Sequence, residues 1–251
     1  MMLYSSSNIA DILSISKATL GKWEKSGKLV PIMDNVTQVK GYHPFQLLAF
    51  PQIQAMQESK WDEEANIKPI RHYRSIELFA GAGGMALGLE KAGFEAVALN
   101  EIDSAACATL KVNRPAWNVL EGDIGSIDFS AHHGMIDLLA GGFPCQAFSY
   151  AGKKLGFEDT RGTLFFEFGR AIKECSPKLI LAENVRGLVS HENGRTLAVI
   201  RASFEELGYT LIEPKVLQAI FYQVPQKRER LMMVGIRNDL AHNASFAWPA
   251  P

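Results

Sequence analysis

Apolar positions along this chain follow two periods. Ile9, Ile12 and Leu13 recur at helical spacing behind the capping pair Ser7-Asn8, and Leu20 and Trp23 do so between Lys17 and Lys25, with Gly27 closing that stretch. Two short helices are therefore expected, followed by a short strand or wing at Leu29-Val30-Pro31. Residues 57–74 are polar and charged and predict a linker. From Ser75 onward, short apolar runs alternate with helical periods. Strands are expected at Ser75–Phe79, Ala96–Leu99, Asn118–Leu120, Met135–Ala140, Pro177–Ala182, Tyr209–Ile212, Leu217–Phe221 and Arg230–Ile236. Helices are expected from Met85 to Ala92, Ser104 to Asn113, Leu164 to Glu174 and Gly194 to Leu207. That alternation predicts an α/β, Rossmann-like domain over 75–251, joined through the linker 57–74 to a small helical module over 1–56.

Composition narrows the function classes. The 251 residues suffice for two domains, and 47% apolar with 21% charged content is ordinary for a globular chain. The 26 basic and 27 acidic residues give a net charge of −1, so any nucleic-acid surface must be a local patch. The three cysteines, Cys107, Cys145 and Cys175, are widely spaced. They form neither a disulfide framework nor a metal-type pair, so no metal and a reducing, cytoplasmic setting are expected. No signal peptide and no membrane-spanning run is recognised.

The candidate chemistry lies where strands end. After Phe79, Ala80-Gly81-Ala82-Gly83-Gly84 makes a strand–glycine turn–helix opening, which either cradles a nucleotide or only packs a helix on a strand. Glu101 lies 18 positions after Gly83, close to the ~20 at which an acidic residue binds a ribose hydroxyl; the alternative is a solvated helix start. Asp123, followed by Ile124, ends the next strand and is placed either to accept from an adenine amino group or to cap a helix. Gly141-Gly142-Phe143-Pro144-Cys145-Gln146-Ala147-Phe148-Ser149 follows the fourth strand. A thiol on such a turn is a candidate nucleophile, against the plain reading of a small buried cysteine. Residues 151–159 read as a surface loop beside it. Glu183 ends the fifth strand as a candidate acid or a salt-bridge residue. Arg228 and Arg230 alternate at a strand start, so they share a face as a grip on a phosphate or base carbonyl, or as a solvated edge. In the first module, Lys17, Lys22 and Lys25 give local positive charge. Its helix–turn–helix spacing, with Gly41-Tyr42-His43-Pro44-Phe45 further on, resembles the winged helix-turn-helix of the MerR and excisionase type.

Taken in order, these motifs resemble the DNA cytosine-5 methyltransferases. The match includes Phe79-Ala80-Gly81-Ala82-Gly83-Gly84, Asn100-Glu101, Gly122-Asp123-Ile124, Gly142-Phe143-Pro144-Cys145-Gln146, Asp159-Thr160-Arg161-Gly162, Glu183-Asn184-Val185 and Gln226-Lys227-Arg228-Glu229-Arg230. The resemblance implies a Rossmann-like S-adenosylmethionine-dependent methyltransferase fold. Its cofactor would be S-adenosylmethionine, released as S-adenosylhomocysteine, and its substrate a cytosine flipped out of double-stranded DNA. It implies that Phe79 stacks on the adenine, Glu101 holds the ribose and Asp123 meets the adenine edge, with Ala80, Gly81, Gly83, Gly84, Ile124, Pro144 and Leu164 also lining the cofactor pocket. Where family members often carry an aromatic residue, this chain has Ile102.

The implied reaction begins with the Cys145 thiolate adding at C6, which makes C5 able to attack a methyl group. Glu183 donates at N3, and Arg228 or Arg230, with Arg230 favoured, holds O2; Gln146 and Ser149 face DNA. A base then removes the C5 proton and the thiol leaves. The family normally continues beyond the Arg228 region with a target-recognition domain and two further motifs, whereas this sequence ends at Phe246-Ala247-Trp248-Pro249-Ala250-Pro251. The expectation is therefore the catalytic subunit of a split restriction-modification methyltransferase, its partner polypeptide carrying recognition and the final motifs. The alternatives are a truncated chain, a chain whose N-terminal module performs recognition alone, a DNA-binding transcription regulator with an inactive methyltransferase half, or methylation of cytosine in RNA by the same machinery.

Overall fold

The computed structural model describes residues 3–13, 15–34, 40–50, 53–54, 63, 66–144, 164–222, 224 and 228–249. The chain forms two compact units. One comprises Met1–Ile67, Gln218–Arg228 and Trp248–Pro251; the other comprises Lys68–Leu217 and Glu229–Ala247. The first division falls inside the linker expected at 57–74. The return of 218–228 to the first unit has no counterpart in a reading that assigns all of 75–251 to one domain.

In the first unit, helices Ser6–Ile12 and Lys17–Lys25 are followed by strands β1 (Ile32–Met33) and β2 (Lys40–Gly41), which pair antiparallel, and by helix Pro44–Leu47. Ser5, rather than Ser7-Asn8, starts the first helix. The Asn8 N–H donates to Ser5 Oγ at 3.1 Å and the Ser5 N–H donates to Asn8 Oδ1 at 3.0 Å, a reciprocal cap. Ser16 caps the second helix through the Thr19 N–H. Leu29-Val30-Pro31 is not a strand; Leu29 instead joins a core of Ile9, Ile12, Leu20, Tyr42, Leu47 and Ile53, on which Trp23, Phe50 and Phe221 pack. Lys17, Lys22 and Lys25 are exposed on the second helix.

The second unit is an α/β sheet. Its strands are β3 (Tyr73–Leu78), β4 (Phe94–Glu101), β5 (Val119–Glu121), β6 (Leu138–Gly141), β7 (Leu179–Val185), β8 (Tyr209–Leu211), β9 (Lys215–Gln218) and β10 (Glu229–Arg237). The order is β5-β4-β3-β6-β7-β10-β8, with β9 also pairing β10. The strands from β5 to β7 run parallel, and β10 is antiparallel to β7 and β8. Helices cover both faces. Ala86 of Gly84–Lys91 and Leu110 of Ser104–Asn113 pack with Leu99 on one side. Phe165 and Phe168 of Leu164–Cys175, with Ile200 and Phe204 of Arg195–Glu206, pack with Ile76, Leu78 and Ala98 on the other. The chain winds outward from β3 to β5 and then restarts on the opposite side of β3 with β6. A doubly wound sheet has its topological switch point at such a reversal, and the crevice beyond the strands' carboxyl ends is where ligands bind.

Several boundaries move. Lys215–Gln218 replaces the strand expected at Leu217–Phe221, and Ala219–Tyr222 is a short 3₁₀ turn, the Ala219 N–H donating to the Arg228 carbonyl at 2.9 Å. β7 starts at Leu179 rather than Pro177 and ends in Glu183-Asn184-Val185, which β10 pairs as far as Val185. β10 begins at Glu229, so Arg228 precedes the strand and the same-face alternation with Arg230 does not apply. Among the described residues no helix is long and apolar enough to cross a membrane.

Candidate functional site

The two strands that flank the switch point end in the two glycine turns singled out by the sequence. On the β3 side, Phe79 adopts φ +59°, the left-handed region that a bulky residue seldom takes, and packs partly against the core. Gly81 follows at φ +54° and Gly83 at φ +88°. A Cβ on Gly83 would lie 2.6 Å from Leu110 Cδ2, so glycine there serves both conformation and close packing. Gly84 opens the helix and is exposed, while Ala80 is buried and donates its N–H to the Asn100 carbonyl at 3.0 Å.

Glu101 ties this turn to the end of β4. Its Oε2 accepts the Gly81 N–H at 2.7 Å, and its Oε1 accepts the N–H groups of Ile102 and Asp103, each at 2.9 Å. It is Asp103 that caps the following helix, through the Ala106 N–H at 2.8 Å. Ile102 is 70% exposed, an apolar side chain at the rim. Asp123, also exposed, caps the turn Ile124–Ser126, its Oδ1 accepting the Gly125 N–H at 3.0 Å. The capping reading of Asp123 is thus observed. The Ile124 side chain is in the core, so a ligand at this turn would meet its backbone. Asn100 is a residue to which the sequence reading gave no task. Buried at the end of β4, it donates through Nδ2 to the carbonyls of Leu120 at 3.1 Å and Gly122 at 3.0 Å, and so holds the rim beside Asp123.

On the β6 side, Gly141 and Gly142 each answer a close approach. A Cβ on Gly141 would lie 2.8 Å from the Leu78 carbonyl, and one on Gly142 would lie 3.0 Å from Glu183 Oε2. The missing side chain at Gly142 is what lets the Glu183 carboxylate lie against this turn. Phe143 is buried and meets the rings of Phe165 and Phe168 at centroid distances of 5.0 and 5.4 Å. Asn184 then fixes the turn. Its Nδ2 donates to the Phe143 carbonyl at 2.9 Å, and its Oδ1 accepts the Val185 N–H at 2.9 Å. Pro144 is exposed just beyond, and Leu164 at the start of its helix is 38% exposed. Cys145, Gln146, Ser149, the loop 151–159 and Asp159-Thr160-Arg161-Gly162 lie outside the described residues, as do Gln226 and Lys227.

Glu183 and Arg230 meet across the ladder. Arg230 Nε donates to Glu183 Oε1 at 2.7 Å, and the side chains are only 28% and 19% exposed. Glu183 is in register with Met232 and Arg230 with Val185, so the pair is a diagonal cross-strand contact. Arg228 is exposed and belongs to the other compact unit. In the middle of β3 lies a carboxyl the sequence reading passed over. Glu77 is 4% exposed, in register with Leu99 and Ala140, and its Oε2 has no hydrogen-bond partner among the protein atoms. Burial pushes its carboxyl up to about 8.

Known proteins are similar to this chain. A family model described as C-5 cytosine-specific DNA methylase matches residues 73–251. The chain is 59% identical over 247 residues to the type II methyltransferase M.Eco47II of Escherichia coli, a match covering 98% of this chain and 59% of that protein. It is 55% identical over 248 residues to the type II methyltransferase M.PspPI of Psychrobacter sp. (strain TA137), covering 99% and 60% respectively. The chain therefore spans 59–60% of the length of these curated relatives. Among solved structures, a DNMT2 variant from Spodoptera frugiperda superposes with a TM-score of 0.53 at 26% identity, over 67% of this chain and 51% of that one. With the family match running from the start of β3 through every element of the α/β unit, the chain belongs to the C-5 cytosine-specific DNA methylase family.

Proposed function

We propose that this chain carries the cofactor-binding and catalytic region of an enzyme that transfers a methyl group to C5 of cytosine in double-stranded DNA. One observation carries the reading. At the switch point, the glycine turn tied to Glu101 and the turn leading to Cys145 leave adjacent parallel strands, and Glu183 lies against the second of them at Gly142. A nucleoside cofactor on the first turn and a base over the second would then be neighbours, which is the proximity a group transfer needs.

The residues present suit S-adenosylmethionine. Gly81 leaves open space on the turn, Glu101 and Asp123 offer carboxylates at the rim, and the orphaned Glu77 Oε2 can accept from the cofactor's ammonium end. When bound, the cofactor supplies the methyl group. Phe79 and Ile102 offer apolar surface to an adenine, and Glu101 offers an acceptor to a ribose hydroxyl. Ala80, Gly84, Ile124, Pro144 and Leu164 complete the proposed lining. Asn184 and Phe143 hold the turn from which Cys145 extends.

In the proposed reaction the Cys145 thiolate forms a bond to C6 of the base, and the C5–C6 double-bond electrons become available at C5. Glu183 donates a proton at N3 as charge builds on the ring, and Arg230 holds O2. After C5 has gained the methyl group, a base removes the C5 proton, the C6–sulfur bond breaks to release the thiolate, and N3 returns its proton to Glu183. Arg228, Gln146 and Ser149 are assigned to the DNA side. Lys17, Lys22 and Lys25, exposed on the second helix of a helix-turn-helix-like module, are assigned to phosphate contacts. The relatives exceed the matched region within single chains, so the second polypeptide expected from the sequence gains no support from them.

The test is transfer of labelled methyl from S-adenosylmethionine to mixed-sequence duplex DNA, with cofactor binding measured in parallel. Labelled DNA with 5-methylcytosine as product, lost in Cys145→Ser, is the expected result. Binding of cofactor with no transfer under any DNA or protein supplement would remove the enzymatic reading of this chain.

A further inference from the structure

Helix Leu164–Cys175 carries Glu167, Arg170 and Glu174 at spacings of three and four, so they share one face. In sequence this looks like an ordinary solvated run of charge. In the structure the Arg170 guanidinium reaches across to the loop after β5. Its Nη2 donates to the Ile124 carbonyl at 2.7 Å and its Nη1 to the Ile127 carbonyl at 3.0 Å. The same group is held by Glu167 Oε2 at 2.7 Å and Glu174 Oε1 at 2.6 Å. The other oxygen of Glu174 accepts the Phe129 N–H at 2.9 Å. One arginine–carboxylate assembly thus grips three backbone groups of the loop. A lysine could not reproduce it, because Arg170 donates from Nε, Nη1 and Nη2 in one planar fork, whereas an ammonium directs all its donors from a single nitrogen.

What that loop presents at the rim is Asp123. Its carboxylate is oriented by the Gly125 N–H of the very turn whose Ile124 carbonyl Arg170 holds. The Ile124 side chain, buried in the core, fixes the turn from below. The position of the Asp123 carboxylate therefore depends on the turn, and the turn depends on Arg170.

We infer that Arg170 is a positioning residue for cofactor recognition: by holding the Ile124 and Ile127 carbonyls it sets the Asp123 carboxylate where it can tell an adenine amino group from a purine that lacks this donor. The inference rests on the proposed reading of the rim as a nucleoside site. A role in loop stability alone would weaken every ligand alike, whereas a positioning role removes discrimination.

The experiment measures calorimetric affinities of the full chain for S-adenosylhomocysteine and S-inosylhomocysteine, whose 6-oxo group cannot donate to a carboxylate. The wild-type chain should prefer the adenine ligand by about tenfold or more. In Arg170→Lys that preference should collapse toward unity through loss of adenine-ligand affinity, with inosine-ligand affinity and circular dichroism little changed. Glu174→Gln should shift the preference in the same direction and serves where Arg170→Lys fails to fold. Equal losses for both ligands, or an unchanged preference in folded variants, overturn the inference. Asp123→Asn separates the two levels. If it leaves the preference intact, the Asp123–adenine reading fails and the Arg170 role falls with it. If it abolishes the preference while the Arg170 and Glu174 variants keep it, only the Arg170 role fails. A wild-type chain that binds neither ligand removes both.

Discussion

At Gly142 a single hydrogen atom in place of a methyl group decides where a carboxylate can lie. A Cβ there would come within 3.0 Å of Glu183 Oε2, and Glu183 cannot retreat freely because Arg230 holds its other oxygen at 2.7 Å. Gly142→Ala is expected to slow single-turnover methyl transfer by about tenfold or more, since displacement by a fraction of an ångström spoils alignment, while S-adenosylhomocysteine affinity stays near wild type. Glu77 gives a second expectation at this scale. Its folded carboxyl titrates near 8 against the ordinary value of 4.5, so the folded state holds its proton where the unfolded state has lost it. Stability is then full at low pH and falls as pH rises from about 4.5 through 8, by on the order of 5 kcal/mol across that window. Urea unfolding of the ligand-free chain at pH 5.5 and pH 8.5 should show the decline, and Glu77→Gln should flatten it.

Between elements, the Glu183–Arg230 pair joins β7 to β10 at the edge of the site. Both side chains are less than a third exposed, so removing Arg230 takes an ion-pair partner from a largely buried carboxylate and costs on the order of 3 kcal/mol. Arg230→Ala should therefore lower the urea midpoint, and under conditions where the variant is still folded it should reduce methyl transfer by about a hundredfold; full activity of the folded variant would count against a role at the base. The alternation of strands and helices was legible in the sequence because each parallel strand, buried on both faces, reads as a short apolar run. The glycine turns and rim carboxylates were legible because they fall directly after those runs. The partners of Asn184 and Arg170 were not. Asn184 serves through a carbonyl on the turn after β6, 41 positions away, and Arg170 through carbonyls 43 and 46 positions away. Long-range bonds to main-chain groups leave no trace in side-chain pattern.

For the whole molecule, the division into units matters more than the net charge. Phe221, far along the chain, packs on the core formed by Ile9, Leu20 and Tyr42, and the Tyr222 hydroxyl donates to the Pro249 carbonyl at 3.2 Å within that same unit. A chain starting at Lys68 should leave these groups without their core, and is expected to bind hydrophobic dye and to unfold at a lower temperature than the full chain. A shortened chain that keeps the full melting temperature would mean that the second unit folds independently of the first.

The backbone crosses between the two units four times, at 67/68, 217/218, 228/229 and 247/248. A single genetic crossover can append or delete a domain joined by one linker, but it cannot exchange a unit assembled from three separated stretches. The helical module of this chain is thus completed by the turn before β10 rather than built from the first 67 residues alone. Recombination among relatives that swapped residues 1–67 alone would bring Ile9 and Tyr42 against a Phe221 segment from another lineage.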